Sequence, residues 1–99
     1  MKEITAKELE KKIRDGEKVN IIDVRENKEV AQGKIPDAQH IPLGQVQDRM
    51  DEIDKEQHHY IVCRSGGRSG KACGFLSKQG YDVTNMAGGM LDWSGEIEK

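Results

Sequence analysis

The chain has no apolar run approaching the ~18 residues that a membrane-spanning helix needs, so no span is expected. Its start, MKEITAKELEKK, is charged and lacks the apolar stretch of a signal peptide. There is no basic tail, and the sequence pI is near 5.9, which argues against a nucleic-acid partner. Two cysteines without CxxC spacing are too few for a disulfide scaffold. These absences lead to the expectation of a soluble, cytoplasmic protein with free thiols and no membrane partner. Large apolar side chains are also scarce: Leu, Ile, Val and Phe together number 20 of 99 residues. That level invites disorder only when net charge is high, and here it is −2. No internal repeat, low-complexity tract or linker divides the chain, so residues 1–99 are read as one folded domain with a thin core.

What is abundant is glycine, at 11 of 99 residues against a usual share of about 7%. Eight of the 11 follow Cys63. The remaining pattern alternates between strand and helix. Thr5 with Glu8 fits a capping box, and Leu9 and Ile13 predict a helix to about Asp15, closed by Gly16. Residues 19–24 (VNIIDV) read as a strand buried on both faces. Arg25 to Gln32 predicts a short helix stopped by Gly33. Ile35-Pro36 and Ile41-Pro42 bracket an extended piece. Leu43, Val46, Met50 and Ile53 have helical spacing. Residues 59–63 predict a central strand, 64–70 a loop, Ala72, Cys73 and Leu76 a helical stripe ending at Gly80, and 81–86 a last strand. Ala87-Gly88-Gly89 reads as a turn, and Met90 to Trp93 as a short closing helix. Such alternation in a small chain implies an α/β fold with a parallel sheet.

Cys63 stands where a buried strand gives way to a glycine-rich loop and then a helix. Open α/β sheets place ligands at the carboxyl ends of their strands. Glycines let successive N–H groups converge into a nest for an anion, and a helix N-terminus adds partial positive charge. Arg64, Arg68 and Lys71 fall in the same window, with no acid among residues 63–71. Each factor favours a thiolate. A free cysteine has a pKa of about 8.5, and a fall of about two units corresponds to about 2.7 kcal/mol. The plainer reading is a strand cysteine buried beside a turn, the ordinary fate of that residue. Glycines and two arginines directly after the cysteine favour the chemical reading. Two anion chemistries fit: phosphatase action through a phosphocysteine, and sulfur transfer through a cysteine persulfide. Only four residues separate Cys63 from Arg68, which is tight for a tetrahedral phosphate and better suited to a single outer sulfur. A third option is a non-catalytic sulfur-carrier, anion-binding or redox-sensing module that uses the same loop.

Several segments, in order, resemble a rhodanese domain: Ile22-Asp23-Val24-Arg25-Glu26, Gly33-Lys34-Ile35-Pro36-Asp37-Ala38, Ile41-Pro42-Leu43, Cys63-Arg64-Ser65-Gly66-Gly67-Arg68-Ser69, Gly80-Tyr81, and Gly88-Gly89 with Trp93. The set covers nearly the whole chain and is similar to single-domain bacterial rhodaneses. Phosphatase relatives in that family carry one more residue between cysteine and arginine. The resemblance implies a small α/β domain with a central parallel sheet flanked by helices on both faces. It implies a sulfurtransferase that moves a sulfane sulfur from thiosulfate or a persulfide to a thiol, or to cyanide, through a Cys63 persulfide. Arg64, Ser65, Gly66, Gly67, Arg68 and Ser69 would bind the substrate and persulfide, with the backbone N–H groups of residues 64–68 around the outer sulfur. No metal or organic cofactor is implied. Partners would be a small sulfur donor, a thiol acceptor and a sulfur-relay protein. Asp23 is placed near the loop in a supporting role. Arg25 becomes a structural ion-pair residue, with Glu29 as partner. Lys34 and Asp37 stand where the family usually has His and Gly, which alters a surface turn and the pocket rim.

Other residues have plainer readings. Cys73 shares a helix stripe with Ala72 and Leu76 and is read as core, with a resolving thiol as the alternative. His58 and His59 are neighbours, point to opposite faces of a strand, and so form no shared metal site. Trp93 is read as a core anchor, and the helix-breaking Gly74 as a point of close packing against the sheet.

Overall fold

The computed structural model describes residues 1–99. Five parallel strands form one sheet in the order β1-β5-β4-β2-β3. They are β1 (Glu3–Thr5), β2 (Ile21–Asp23), β3 (Gln39–His40), β4 (His59–Val62) and β5 (Val83–Ala87). The helices are α1 (Ala6–Arg14), α2 (Asn27–Val30) and α3 (Gly67–Lys78). Side chains alternate across the sheet and divide the core in two. Ile22, Val24, Ile61 and Cys63 pack with Ala72, Cys73 and Leu76 of α3. Ile21, Val62 and Met86 pack on the other face with Ala6 and Leu9 of α1. The sheet is thus covered on both faces, as the resemblance implied.

The capping box opens α1 as read: Thr5 Oγ1 accepts from the Glu8 N–H, and Glu8 Oε1 from the Thr5 N–H. Immediately before it lies β1, which has no counterpart in the sequence reading. It is three residues long with only Ile4 buried, too short for a period-2 signal. It joins the sheet through Glu3–Asn85, Ile4–Met86 and Thr5–Ala87 pairing.

The stretch 43–53 forms no α-helix. Leu43–Gln45 and Met50–Glu52 are separate 3₁₀ turns. Gly44 sits inside the first and weakens a continuous helix, while Val46 and Ile53 are still buried. The closing segment Gly89–Asp92 is likewise 3₁₀, and α2 is a single turn. Trp93 packs half-buried against the α1-side core. A Cβ at Gly74 would meet nothing within 4 Å, so close packing does not account for that glycine.

Asp37 lies at the amino-terminal end of the sheet, whereas Cys63 follows the carboxyl end of β4. Asp37 lines a cleft there with Lys18, Val19, Asn20 and His59. It adopts φ +66°, a left-handed conformation that glycine takes without strain, and its N–H donates to Glu98. Lys34 donates to the Ala38 carbonyl. Both residues shape a surface turn.

Candidate active site

Cys63 directly follows β4, a central strand lying between β5 and β2. Its side chain projects toward α3 and the residue is 1% exposed. The loop after it is shorter than the expected 64–70. Residues 64–66 make the whole turn, and α3 already begins at Gly67. Gly66 makes this possible with φ +103° and ψ −13°. A Cβ there would sit 3.3 Å from the Gly88 nitrogen. The left-handed kink brings the Gly66 N–H to 3.0 Å from Cys63 Sγ. Ser69, fully buried in the first turn of α3, donates its hydroxyl to the same sulfur at 3.3 Å.

Two opposing influences act on the thiol. Burial, the largest single one, raises its pKa. The Ser69 hydroxyl and the backbone N–H groups of Ser69, Gly66 and Ser65 together outweigh burial, and the net shift is downward. Hydrogen bonds to the charged form therefore make the thiolate accessible here.

The donors can face the sulfur because the loop's carbonyls are engaged elsewhere. The Met90 N–H donates to the Cys63 carbonyl at 2.8 Å, and the Leu91 N–H to the Arg64 carbonyl at 3.0 Å. The Gly66 carbonyl accepts from the Gly70 N–H at 3.0 Å and from the Asn85 side-chain amide at 3.2 Å. Gly89, at φ +60°, allows the first two contacts. A Cβ on it would lie 2.4 Å from the Arg64 carbonyl carbon and oxygen. The sequence reading gave Gly88-Gly89 as a turn and as part of the family resemblance, and did not single out Asn85, Met90 or Leu91. The Gly-Gly pair was the available signal.

The other expected residues are placed as follows. Arg64, Ser65 and Gly67 are exposed. Arg68 is half-buried and held by Glu29 in a two-pronged pair at 2.6 and 2.7 Å. That guanidinium holds the Glu29 carboxyl down at about 2, and the pair ties α2 to α3. Arg25 pairs with Asp23 and not with Glu29. Its Nη2 lies 2.9 Å from Asp23 Oδ2 and also donates to the Gly33 carbonyl at 2.9 Å. Residues two apart on an extended chain share a face, and the shorter reach to Asp23 leaves Glu29 for Arg68. This buried pair stands on the α1 side of the sheet, opposite Cys63. Cys73 is completely buried, and burial pushes its thiol up to about 11.

The fold is a small parallel α/β domain with a buried cysteine at the carboxyl end of its central strand, its sulfur accepting hydrogen bonds from the Gly66 N–H and the Ser69 hydroxyl. A model of the rhodanese-like domain matches residues 5–96, and the chain belongs to that family. YtwF of Bacillus subtilis is 44% identical over 98 residues, which span 99% of this chain and 95% of YtwF. A protein of Allochromatium vinosum named sulfurtransferase is 43% identical over 93 residues, covering 93% of this chain and 87% of its own. The crystal structure of a rhodanese-like domain protein from Staphylococcus aureus superposes with a TM-score of 0.93 at 40% identity, covering 99% of this chain and 97% of that one.

Proposed function

We propose that the protein is a sulfurtransferase that uses Cys63 to carry a sulfane sulfur from thiosulfate or a persulfide to a thiol. The observation that supports this is the pair of donors on one sulfur, the Gly66 N–H and the Ser69 hydroxyl. In the first step the Cys63 thiolate attacks the outer sulfur of the donor. A sulfur–sulfur bond forms to Cys63, and the donor's own bond to that sulfur breaks. Sulfite, or a thiolate from a persulfide donor, leaves with the electron pair. Cys63 then bears a persulfide whose terminal sulfur is negative, and the N–H groups of the loop stabilise that charge. In the second step an acceptor thiolate attacks the terminal sulfur, and Cys63 leaves as the thiolate. Cyanide performs the same step in an assay.

Residues 1–99 act as one unit in this reading. Arg64, exposed beside Cys63, draws anionic donors toward the loop. Arg68 acts mainly through its tie to Glu29. Asp23 and Arg25 support the frame. Only a slim atom reaches a sulfur buried this deeply, which suits an outer sulfur and not a phosphate with its shell of oxygens. The raised Cys73 thiol is a poor nucleophile, so the acceptor is external: a thiol of the cytoplasmic pool or a cysteine of a sulfur-relay protein. Initial rates with thiosulfate and cyanide varied together should give the parallel-line pattern of a ping-pong mechanism. Intersecting lines, or turnover that survives Cys63→Ser, would refute the scheme. Glutathione persulfide run beside thiosulfate then ranks the donors by kcat/KM.

A further inference from the structure

We propose that Asn85, on β5, is a positioning residue for the Cys63 loop: its side-chain amide holds the Gly66 carbonyl and so keeps the Gly66 N–H aimed at the sulfur. This inference rests on the role given above to Cys63. Gly66 is the pivot of the loop. Its N–H and its carbonyl belong to two successive peptide planes that meet at its left-handed Cα. Fixing the carbonyl plane therefore restricts the plane that presents the N–H. Two donors fix it: the Gly70 N–H, inside α3, and Asn85 Nδ2, from the neighbouring strand. Only Asn85 ties this pivot to the sheet.

The rest of Asn85's surroundings supports a role other than packing. The residue is 4% exposed, and its Oδ1 is the one buried side-chain polar atom without a hydrogen-bond partner. A leucine of similar size would leave nothing unsatisfied there, so the amide carries a stability cost that packing does not require. Turning the amide over would set its oxygen against the Gly66 carbonyl, so the donor orientation is the chemically sensible one. α3 also comes close at this point, since a Cβ on Gly70 would lie 3.6 Å from Asn85 Nδ2.

The test compares Asn85→Leu and Asn85→Val with the unaltered protein. The pH dependence of Cys63 alkylation by iodoacetamide is measured alongside the melting temperature. The expected result is a midpoint raised by about one pH unit, giving about tenfold slower alkylation below both midpoints, with a melting temperature equal to or above the parent's. An unmoved midpoint in both variants overturns the proposal. So does a rise found only together with a loss of melting temperature, which would mark Asn85 as merely structural. The two readings fail separately. A parent protein that acquires no sulfur from thiosulfate removes the transferase reading. A normal parent with unmoved variants removes only the role of Asn85.

Discussion

Ser69→Ala isolates the hydrogen bond on which the poised thiol most depends. The hydroxyl is the foremost of the influences that lower the Cys63 pKa, and it stands 3.3 Å from Sγ. Hydrogen bonds to charged groups contribute about 1.5–3 kcal/mol, and a diffuse sulfur acceptor belongs at the low end. One pKa unit corresponds to about 1.36 kcal/mol, so the substitution should raise the Cys63 pKa by about one unit. Alanine suits the helix at least as well as serine, and only one buried oxygen is lost. The fold should therefore survive. The assay is the alkylation rate with iodoacetamide between pH 5 and 10, with circular dichroism to confirm folding. Linkage supplies a second readout. Because the folded pKa lies below that of the unfolded chain, ionised Cys63 contributes stability that is present at high pH and is lost as pH falls through the folded value. In Ser69→Ala that loss should be smaller and be complete at higher pH. A folded variant whose midpoint moves by less than about 0.3 units would refute the balance between burial and hydrogen bonding described here.

Four other substitutions probe the frame. Asp23→Asn leaves Arg25 charged and buried without its counterion, and should cost about 3 kcal/mol in urea unfolding while the Cys63 alkylation midpoint stays in place. Gly89→Ala drives a Cβ into the Arg64 backbone from a left-handed position. It should lower stability by about 2 kcal/mol or more and cut sulfur transfer at least tenfold, whereas Gly74→Ala, facing open space, should preserve activity and raise stability by about 0.5–1 kcal/mol. Cys73 gives a signature at alkaline pH. Its thiol is raised from an ordinary 9.0 to about 11, so the stability it contributes is complete below pH 9 and is lost as pH climbs toward 11. The amount is at most about 2.7 kcal/mol, and Cys73→Ala should flatten that part of the pH–stability curve.

Much of this design was legible because it rests on local chemistry. The β4–loop–helix order around Cys63 followed from an apolar run, a cluster of small residues and a helical stripe, and the Thr5–Glu8 capping box marked the start of α1. Local signals could not show where long-range partners lie. Asp23 and Glu29 are both within reach of Arg25 along the chain, and only the bond between Glu29 and Arg68, 39 residues away, decides the pairing. β1 is too short to leave a pattern and exists because β5 offers it an edge. The outer wall of the loop, made by Asn85, Gly89, Met90 and Leu91, comes from the last fifth of the sequence, where nothing but a pair of glycines hinted at a role. Gly66 is legible in the sequence as part of the anion-cradling loop, and the structure makes it the helix N-cap and the pivot of the site as well.

The central claim is that Cys63 itself accepts the sulfur, and intact mass spectrometry after incubation with thiosulfate tests it most directly. The account predicts a gain of one sulfur atom, removed by dithiothreitol or cyanide, absent in Cys63→Ser and retained in Cys73→Ala. No adduct on the parent protein, or an adduct that persists in Cys63→Ser, would contradict it.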